Sequence, residues 1–258
     1  MSHTPPSLQA STPGAGLSEA LSSDSAAARP LQIGTLIFDD VDQIDVTGPF
    51  EVLASLPGVV HRLYAPTSAP VRDMHGLMLV PNAPFKAAPT LDVLHIPGGA
   101  GQQRLMDDHE VLEWIRVQAF GAQHVLSVCT GALLLGAAGL LVGRRATTHW
   151  ASQHLLAALG AETVDERVVV DGKYVFAAGV TAGIDAAFVL AAQVGGQDAA
   201  QAIQLRMQYA PEPPFQAGSP ASAPAHIVEA ALHGMAGLTE ARRRTVDQAA
   251  TRLGILSR

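Results

Sequence analysis

Cysteine and basic residues are scarce in this chain of 258 residues. It has one cysteine, and its 16 lysines and arginines are outnumbered by 23 acidic residues, which gives a formal net charge of −7. A single cysteine cannot form an internal disulfide, so a reducing compartment is expected, with the cytoplasm as the predicted location. An acidic chain lacks the positive surface that nucleic acids attract, so no nucleic-acid partner is expected.

Long apolar runs and metal-ligand patterns are missing as well. No apolar stretch approaches the ~18 residues that a membrane span needs, so no membrane association is expected. The ten histidines are scattered without metal-ligand spacing, and no metal site is predicted. Because 48% of the residues are hydrophobic and only 15% are charged, the chain can bury a sizeable core.

Three regions follow from changes in composition along the chain. Residues 1–30 are rich in Ser, Pro, Ala and Gly and lack the features of a secretory signal, which predicts a disordered leader. Residues 31–224 are predicted to form the catalytic domain. Residues 225–258 are predicted to be a helical extension packed on that domain or on a dimer interface.

Apolar strands alternate with helices between residues 31 and 224. Because the strands are apolar throughout, they predict a mostly parallel, doubly wound α/β sheet with helices on both faces. One helix is predicted to follow Pro49, with the proline in its first turn. The predicted strands are 31–38, 59–66, 91–96 and 124–128, the helices include 107–121, 148–160 and one starting at 130, and two added hairpins are 70–82 and 166–179.

The only cysteine lies where a strand meets a helix. In open parallel sheets the reactive crevice lies beyond the carboxyl ends of the strands, and Cys129 directly follows one of them. A sharp turn at Cys129 would expose the thiol. The positive end of the helix that starts at Thr130 would lower the pKa of the thiol. Gly131 would let that helix approach closely. A free cysteine is often only a small buried hydrophobe, but this position favours a reactive one.

Two other segments are predicted to reach the same sheet edge. Gly98 and Gly99 follow a strand, and their N–H groups could stabilise negative charge on a substrate, although a tight turn would also need glycines. Asp45 is flanked by apolar residues and is expected to turn inward, where burial beside a thiolate would raise its pKa and make it a general acid and then a base.

The nearby acids Asp39, Asp40 and Asp42 are interpreted as solvated residues or a helix cap. His149 is interpreted as a helix-start or packing residue more readily than as a catalytic partner.

Several segments carry a family resemblance. The stretches IDVTGPFEVLASL, DVLHIPGGAG, SVCTGALLLGAAGLL, RATTHW, GVTAGIDAAF and QYAPEPPFQAGSP together resemble the isocyanide hydratases. These form a bacterial branch of the PfpI-type, class I glutamine amidotransferase-like superfamily, which has a flavodoxin-like fold. The resemblance covers about residues 31–224.

The resemblance implies a cofactor-independent hydratase. Such an enzyme is a homodimeric lyase that converts a small-molecule isocyanide and water to an N-substituted formamide. Cys129 matches the nucleophile, Asp45 the essential carboxylate and Thr130 the residue beside the nucleophile. Gly98 and Gly99 match the active-site loop, and Val180 stands where the family often has isoleucine; Val180 and Leu105 are expected to line an apolar crevice. The protease- and glyoxalase-like branches have Glu at the acid position and often His after the cysteine, so Asp45 and Thr130 argue against them.

Three other functions stay open at this point. The chain could be another PfpI-type enzyme that acts on glyoxals or small amides with the same thiol. It could be a relative of the amidase-like transcription regulators, although residues 225–258 are too few for their DNA-binding region. A non-enzymatic redox sensor would also use an exposed thiol of low pKa.

Overall fold

The computed structural model describes residues 29–255. The leader predicted for residues 1–30 therefore lies outside the described residues, apart from Arg29 and Pro30, and remains a prediction.

A seven-stranded sheet organises residues 31–177. Its strand order is β10-β11-β7-β6-β1-β2-β5, and every neighbouring pair is parallel except β10 with β11. Two further pairs, β3–β4 and β8–β9, lie outside it. The strands are β1 (Leu31–Leu36), β2 (Val59–Ala65), β3 (Val71–Arg72), β4 (Met78–Leu79), β5 (Ala83–Pro84), β6 (Val93–Ile96), β7 (His124–Val128), β8 (Arg145–Ala146), β9 (Glu162–Thr163), β10 (Val168–Asp171) and β11 (Tyr174–Ala177).

Helices cover both faces of this sheet. Adjacent strand residues such as Val125 and Leu126 belong to separate apolar clusters, because successive side chains of a strand point to opposite faces. The predicted doubly wound sandwich is thus confirmed. The helices are α1 (Gln43–Leu53), α2 (Gln102–Leu105), α3 (His109–Gly121), α4 (Gly131–Ala137), α5 (Ala182–Gly195), α6 (Gln197–Arg206) and α7 (Ala225–Arg252), with 3-10 helices at Phe85–Ala87, Trp150–Leu155 and Ala157–Leu159.

Three local predictions were wrong. The segment 148–160 forms two 3-10 helices rather than one α-helix, because burial of the adjacent Leu155 and Leu156 overrides helix propensity. Helix α1 begins before Pro49, at Gln43, because the Asp42 side chain caps it by accepting from the Ile44 N–H at 3.0 Å. The second hairpin is part of the main sheet rather than an addition, since β11 pairs with β7.

The C-terminal helix α7 packs against the domain with its second half. Val246, Ala249 and Ala250 are fully buried, and the helix contacts α2, α4 and the 3-10 helices after β8. Its first half is largely exposed, with Ile227 and Leu232 each 47% accessible. No helix within residues 29–255 is long and apolar enough to span a lipid bilayer.

Substitution of Gly131 tests how closely α4 must approach the sheet. A Cβ atom at this position would lie 2.1 Å from the Ile96 carbonyl oxygen, which is a backbone atom that cannot move aside. We expect Gly131→Ala to lower the free energy of unfolding by about 1–3 kcal/mol, measured by urea denaturation. The matched change Gly237→Ala, where the added methyl meets open space, should instead raise it by about 1 kcal/mol. Equal effects of the two substitutions would contradict this close approach.

Candidate active site

Cys129 occupies the sharp turn between β7 and α4. Its φ is +55°, a left-handed conformation that costs a non-glycine residue on the order of 1–3 kcal/mol. Two backbone anchors hold it there: its N–H donates to the Ala177 carbonyl at 3.1 Å, and its carbonyl accepts from the Thr148 hydroxyl at 2.6 Å. The side chain is 7% exposed. The strand-to-helix turn predicted for Cys129 is therefore present, but the expectation that this turn exposes the thiol was wrong, because the segments packed around it bury the residue.

Asp45 lies in the first turn of α1 and is completely buried. Its Oδ2 accepts a hydrogen bond from the Gly98 N–H at 2.9 Å, and its carboxyl also interacts with the Cys129 side chain. Two residues 84 positions apart in the sequence thus meet at the carboxyl edge of the sheet. The structure brings them together, as the predicted convergence requires.

Pro49 lies inside the helix that carries Asp45. Proline has no N–H, so the Asp45 carbonyl lacks the helical donor that residue 49 would otherwise supply. The His95 ring is fully buried, its Nδ1 lies 2.9 Å from the Thr35 hydroxyl, and its Nε2 has no hydrogen-bond partner among residues 29–255. Burial and the nearby His61 lower the pKa of His95 to about 3, so the ring is neutral.

The N–H groups of Gly98 and Gly99 are bound within the protein. The Gly98 N–H is bonded to Asp45, and the Gly99 N–H donates to the Thr130 hydroxyl oxygen at 3.3 Å. The expectation that they point freely into the crevice was therefore wrong, because the loop lies against these two side chains. A Cβ on Gly98 would sit 2.6 Å from the Thr130 nitrogen and hydroxyl oxygen. The glycines thus allow the loop to approach and hold Asp45.

Burial dominates the electrostatics of the Cys129–Asp45 pair. Burial, helped by the charge of Asp42, raises the pKa of Asp45 to about 8, although the bonds from Gly98 and Cys129 oppose this shift. Burial and the Asp45 charge raise the pKa of the Cys129 thiol well above its usual value. The Thr130 N–H and the Arg242 guanidinium lower it, but by less. The predicted lowering of the thiol pKa by the helix was therefore wrong as a net effect, whereas the raised pKa of Asp45 was predicted correctly.

A cleft of about 680 Å³ is lined by Thr148, whose hydroxyl bonds the Cys129 carbonyl, but neither Cys129 nor Asp45 is among its lining residues. Val180 and Thr148 line it, and the segment 218–221 contributes another part of its wall. The expectation that Leu105 lines the same crevice was wrong, because Leu105 lies at the end of α2 and lines a different cavity beside Phe38.

His149 also lines this cleft, but it acts as a helix start. Its Nδ1 accepts from the Ala151 N–H at 3.4 Å, and burial lowers the pKa of its ring. This contact agrees with the interpretation of His149 as a helix-start residue. No cluster of three or more His, Cys, Asp or Glu side chains suitable for a metal ion is found between residues 29 and 255.

The sequence analysis missed two residues of this site. Thr148 precedes the conspicuous His149 and is the residue whose side chain bonds the cysteine turn. Arg242 reaches the site from α7, where its Nη2 donates to the Gly99 carbonyl at 2.8 Å. The helical spacing of Arg242 with Val246 and Ala249 was the available signal, since these positions share one helix face.

Asp45→Asn tests the electrostatic link between the carboxyl and the thiol. The Asp45 charge raises the pKa of Cys129, so removing it should move the midpoint of thiol alkylation to lower pH. The measurement is the iodoacetamide reaction rate as a function of pH. Asp40→Asn is the control, because Asp40 is an exposed acid ion-paired with Arg104 and Asn tolerates its φ of +60°. An unchanged or higher midpoint in Asp45→Asn would show that the two groups do not interact.

Comparisons with known proteins agree with this fold. The sequence profile of the DJ-1/PfpI family matches residues 32–193. An isonitrile hydratase of Pseudomonas putida is 49% identical over 225 residues, which cover 87% of this chain and 99% of that protein. A glutathione-independent glyoxalase of Caenorhabditis elegans is 28% identical over 55% of this chain and 76% of that protein.

A solved structure shows the same fold. A ThiJ/PfpI family protein from Pseudomonas syringae superposes with a TM-score of 0.82 at 37% identity, covering 84% of this chain and 90% of that one. With the family profile matching well over half of the residues, the chain belongs to the DJ-1/PfpI family.

Proposed function

We propose that this protein is a cofactor-independent hydratase that converts isocyanides to N-substituted formamides. The observation that carries the proposal is a fully buried Asp45 carboxyl, held by the Gly98 N–H at 2.9 Å at the carboxyl edge of the sheet and coupled in charge to the Cys129 thiol, with its pKa raised to about 8. The likeness to the Pseudomonas putida isonitrile hydratase over nearly its whole length supports it. The homodimer implied by the sequence resemblance and the cytoplasmic location predicted from the single cysteine are part of this proposal.

Cys129 acts first, as a nucleophile. The thiolate attacks the terminal isocyanide carbon and forms a C–S bond, while Asp45 donates its proton to the same carbon. The product is a thioimidate on the sulfur and an ionised Asp45. Covalent attachment replaces one difficult addition of water with two easier steps.

Asp45 acts next, as a base. It takes a proton from water, the hydroxide adds to the thioimidate carbon, and Asp45 returns that proton to the nitrogen. When the C–S bond breaks, Asp45 accepts the hydroxyl proton as the carbonyl forms. The formamide leaves, and the pair returns to thiolate and carboxylic acid with all atoms accounted for.

The remaining site residues position these groups. Gly98 holds Asp45 through its N–H, Thr130 accepts from the Gly99 N–H, and the Thr130 N–H lowers the pKa of Cys129. Val180, in the wall of the cleft, supplies apolar surface suited to an uncharged substrate.

The other functions have less support. A helix-turn-helix regulator needs two short helices joined by a turn, whereas residues 225–252 form one continuous helix. A redox sensor is favoured by an exposed thiol of low pKa, whereas Cys129 is buried and burial raises its pKa. The glyoxalase relative matches only about half of this chain.

Turnover of an alkyl isocyanide by the purified protein tests the proposal. We expect formamide to accumulate catalytically, and Cys129→Ala to reduce the rate by about a thousandfold or more because the covalent route is lost. Methylglyoxal, assayed in parallel, should be consumed far more slowly. Normal isocyanide turnover by Cys129→Ala, or faster turnover of methylglyoxal, would overturn the assignment.

The dependence of the rate on pH tests the shared proton. The reacting form, a thiolate beside a carboxylic acid, is one of the two forms of the pair that has lost one proton, so kcat/KM should rise with pH and level off above the raised Asp45 pKa of about 8, where that first proton leaves. A rising limb centred in the usual range of an exposed carboxyl, near 4, would show that burial does not control Asp45.

A further inference from the structure

Arg242 is a buried cation supplied by the C-terminal helix. It is 6% exposed, and no carboxylate of residues 29–255 lies within ion-pair distance of its guanidinium. The next residue along the helix differs. Arg243 is half exposed and is ion-paired with Glu240 and Asp247.

Neutral oxygens of the active-site loop surround the Arg242 guanidinium. Its Nη2 donates to the Gly99 carbonyl at 2.8 Å and lies 3.5 Å from the Thr130 hydroxyl oxygen. Its Nε donates to Oε1 of the fully buried Gln102 at 3.2 Å. One side chain from the end of the sequence therefore connects the glycine loop, the residue after the nucleophile and α2.

A buried guanidinium needs negative charge nearby. Removing it from water without a counterion costs several kcal/mol, which neutral carbonyls offset only in part. The acidic group that interacts with it is Cys129, whose pair with Asp45 holds one negative charge once it has lost a proton. Burial lowers the pKa of Arg242 and the charge of the Cys129 sulfur opposes that lowering, while burial raises the pKa of Cys129 and the guanidinium opposes that rise.

We propose that Arg242 is a positioning residue that supplies the countercharge for the singly deprotonated Cys129–Asp45 pair and fixes the Gly99 peptide. Removing the guanidinium leaves Cys129 facing only negative charge, from Asp45 and the more distant Asp42 on α1. His149 is the other titratable group near Arg242, and it stays neutral because its pKa is lowered. The C-terminal helix thereby contributes to the reactivity of the thiol.

This inference rests on the proposed nucleophilic role of Cys129, but it can be tested without substrate. Alkylation of Cys129 by iodoacetamide, followed as a function of pH, reports the ionisation of the thiol even if isocyanides are not the substrate. Failure of the proposed function and failure of this inference are therefore separate results.

Arg242→Met is the main variant, because an apolar side chain of similar length often replaces a buried ion without loss of folding. We expect the alkylation midpoint to rise by about one pH unit or more, so that the rate below the midpoint falls about tenfold. Arg243→Met is the matched control on the exposed side of the same helix, and its midpoint should equal that of the unmodified protein. With isocyanide, Arg242→Met should lower kcat while KM changes by less than about twofold.

Arg242→Lys separates charge from hydrogen bonding. Lysine keeps the positive charge but not the planar set of donors, so its alkylation midpoint should stay close to that of the unmodified protein. If Arg242→Met gives no cooperative thermal unfolding, Arg242→Gln replaces it with the same expected shift. The proposal is overturned if the folded neutral variant keeps the original midpoint, or if Arg242→Lys shifts as far as the neutral variant.

Discussion

A single buried proton, shared between a thiol and a carboxyl, is the interaction on which this site depends. Asp45 is fully buried beside Cys129, and neither group can ionise as it would in water. Two negative charges in this space would repel strongly at low dielectric. The pair therefore never holds two charges: it is fully protonated at neutral pH, and once one proton is lost the other moves between Asp45 and Cys129, so that one of the two resulting forms is a thiolate beside a carboxylic acid.

The fold holds these two groups together at a cost in local strain. Cys129 adopts a left-handed backbone conformation and is held by the Ala177 carbonyl and the Thr148 hydroxyl, which belong to two other segments. The loop with Gly98 has no side chain where Thr130 and Asp45 require the space. Strain of this kind persists only where the surroundings fix the conformation from several sides.

Much of this arrangement could be predicted from local sequence patterns. The apolar strands predicted the parallel sheet, and the ends of those strands predicted that Cys129 and Asp45 would meet. Local patterns could not predict the hydrogen-bond partners of the Gly98 and Gly99 N–H groups. They also could not predict the direction of the Cys129 pKa shift. Both depend on burial by segments that are distant in the sequence. Arg242 was missed for the same reason, since its partners lie more than a hundred residues earlier.

The protonation state of Asp45 tests the central claim most directly. Infrared difference spectra of the unmodified protein and Asp45→Asn, recorded at neutral pH without substrate, isolate the C=O stretch of this carboxyl. The account predicts a band of a protonated carboxylic acid at neutral pH that disappears as the pH rises past the raised Asp45 pKa of about 8. A carboxylate signal from Asp45 throughout the neutral range, with no acid band, would contradict it.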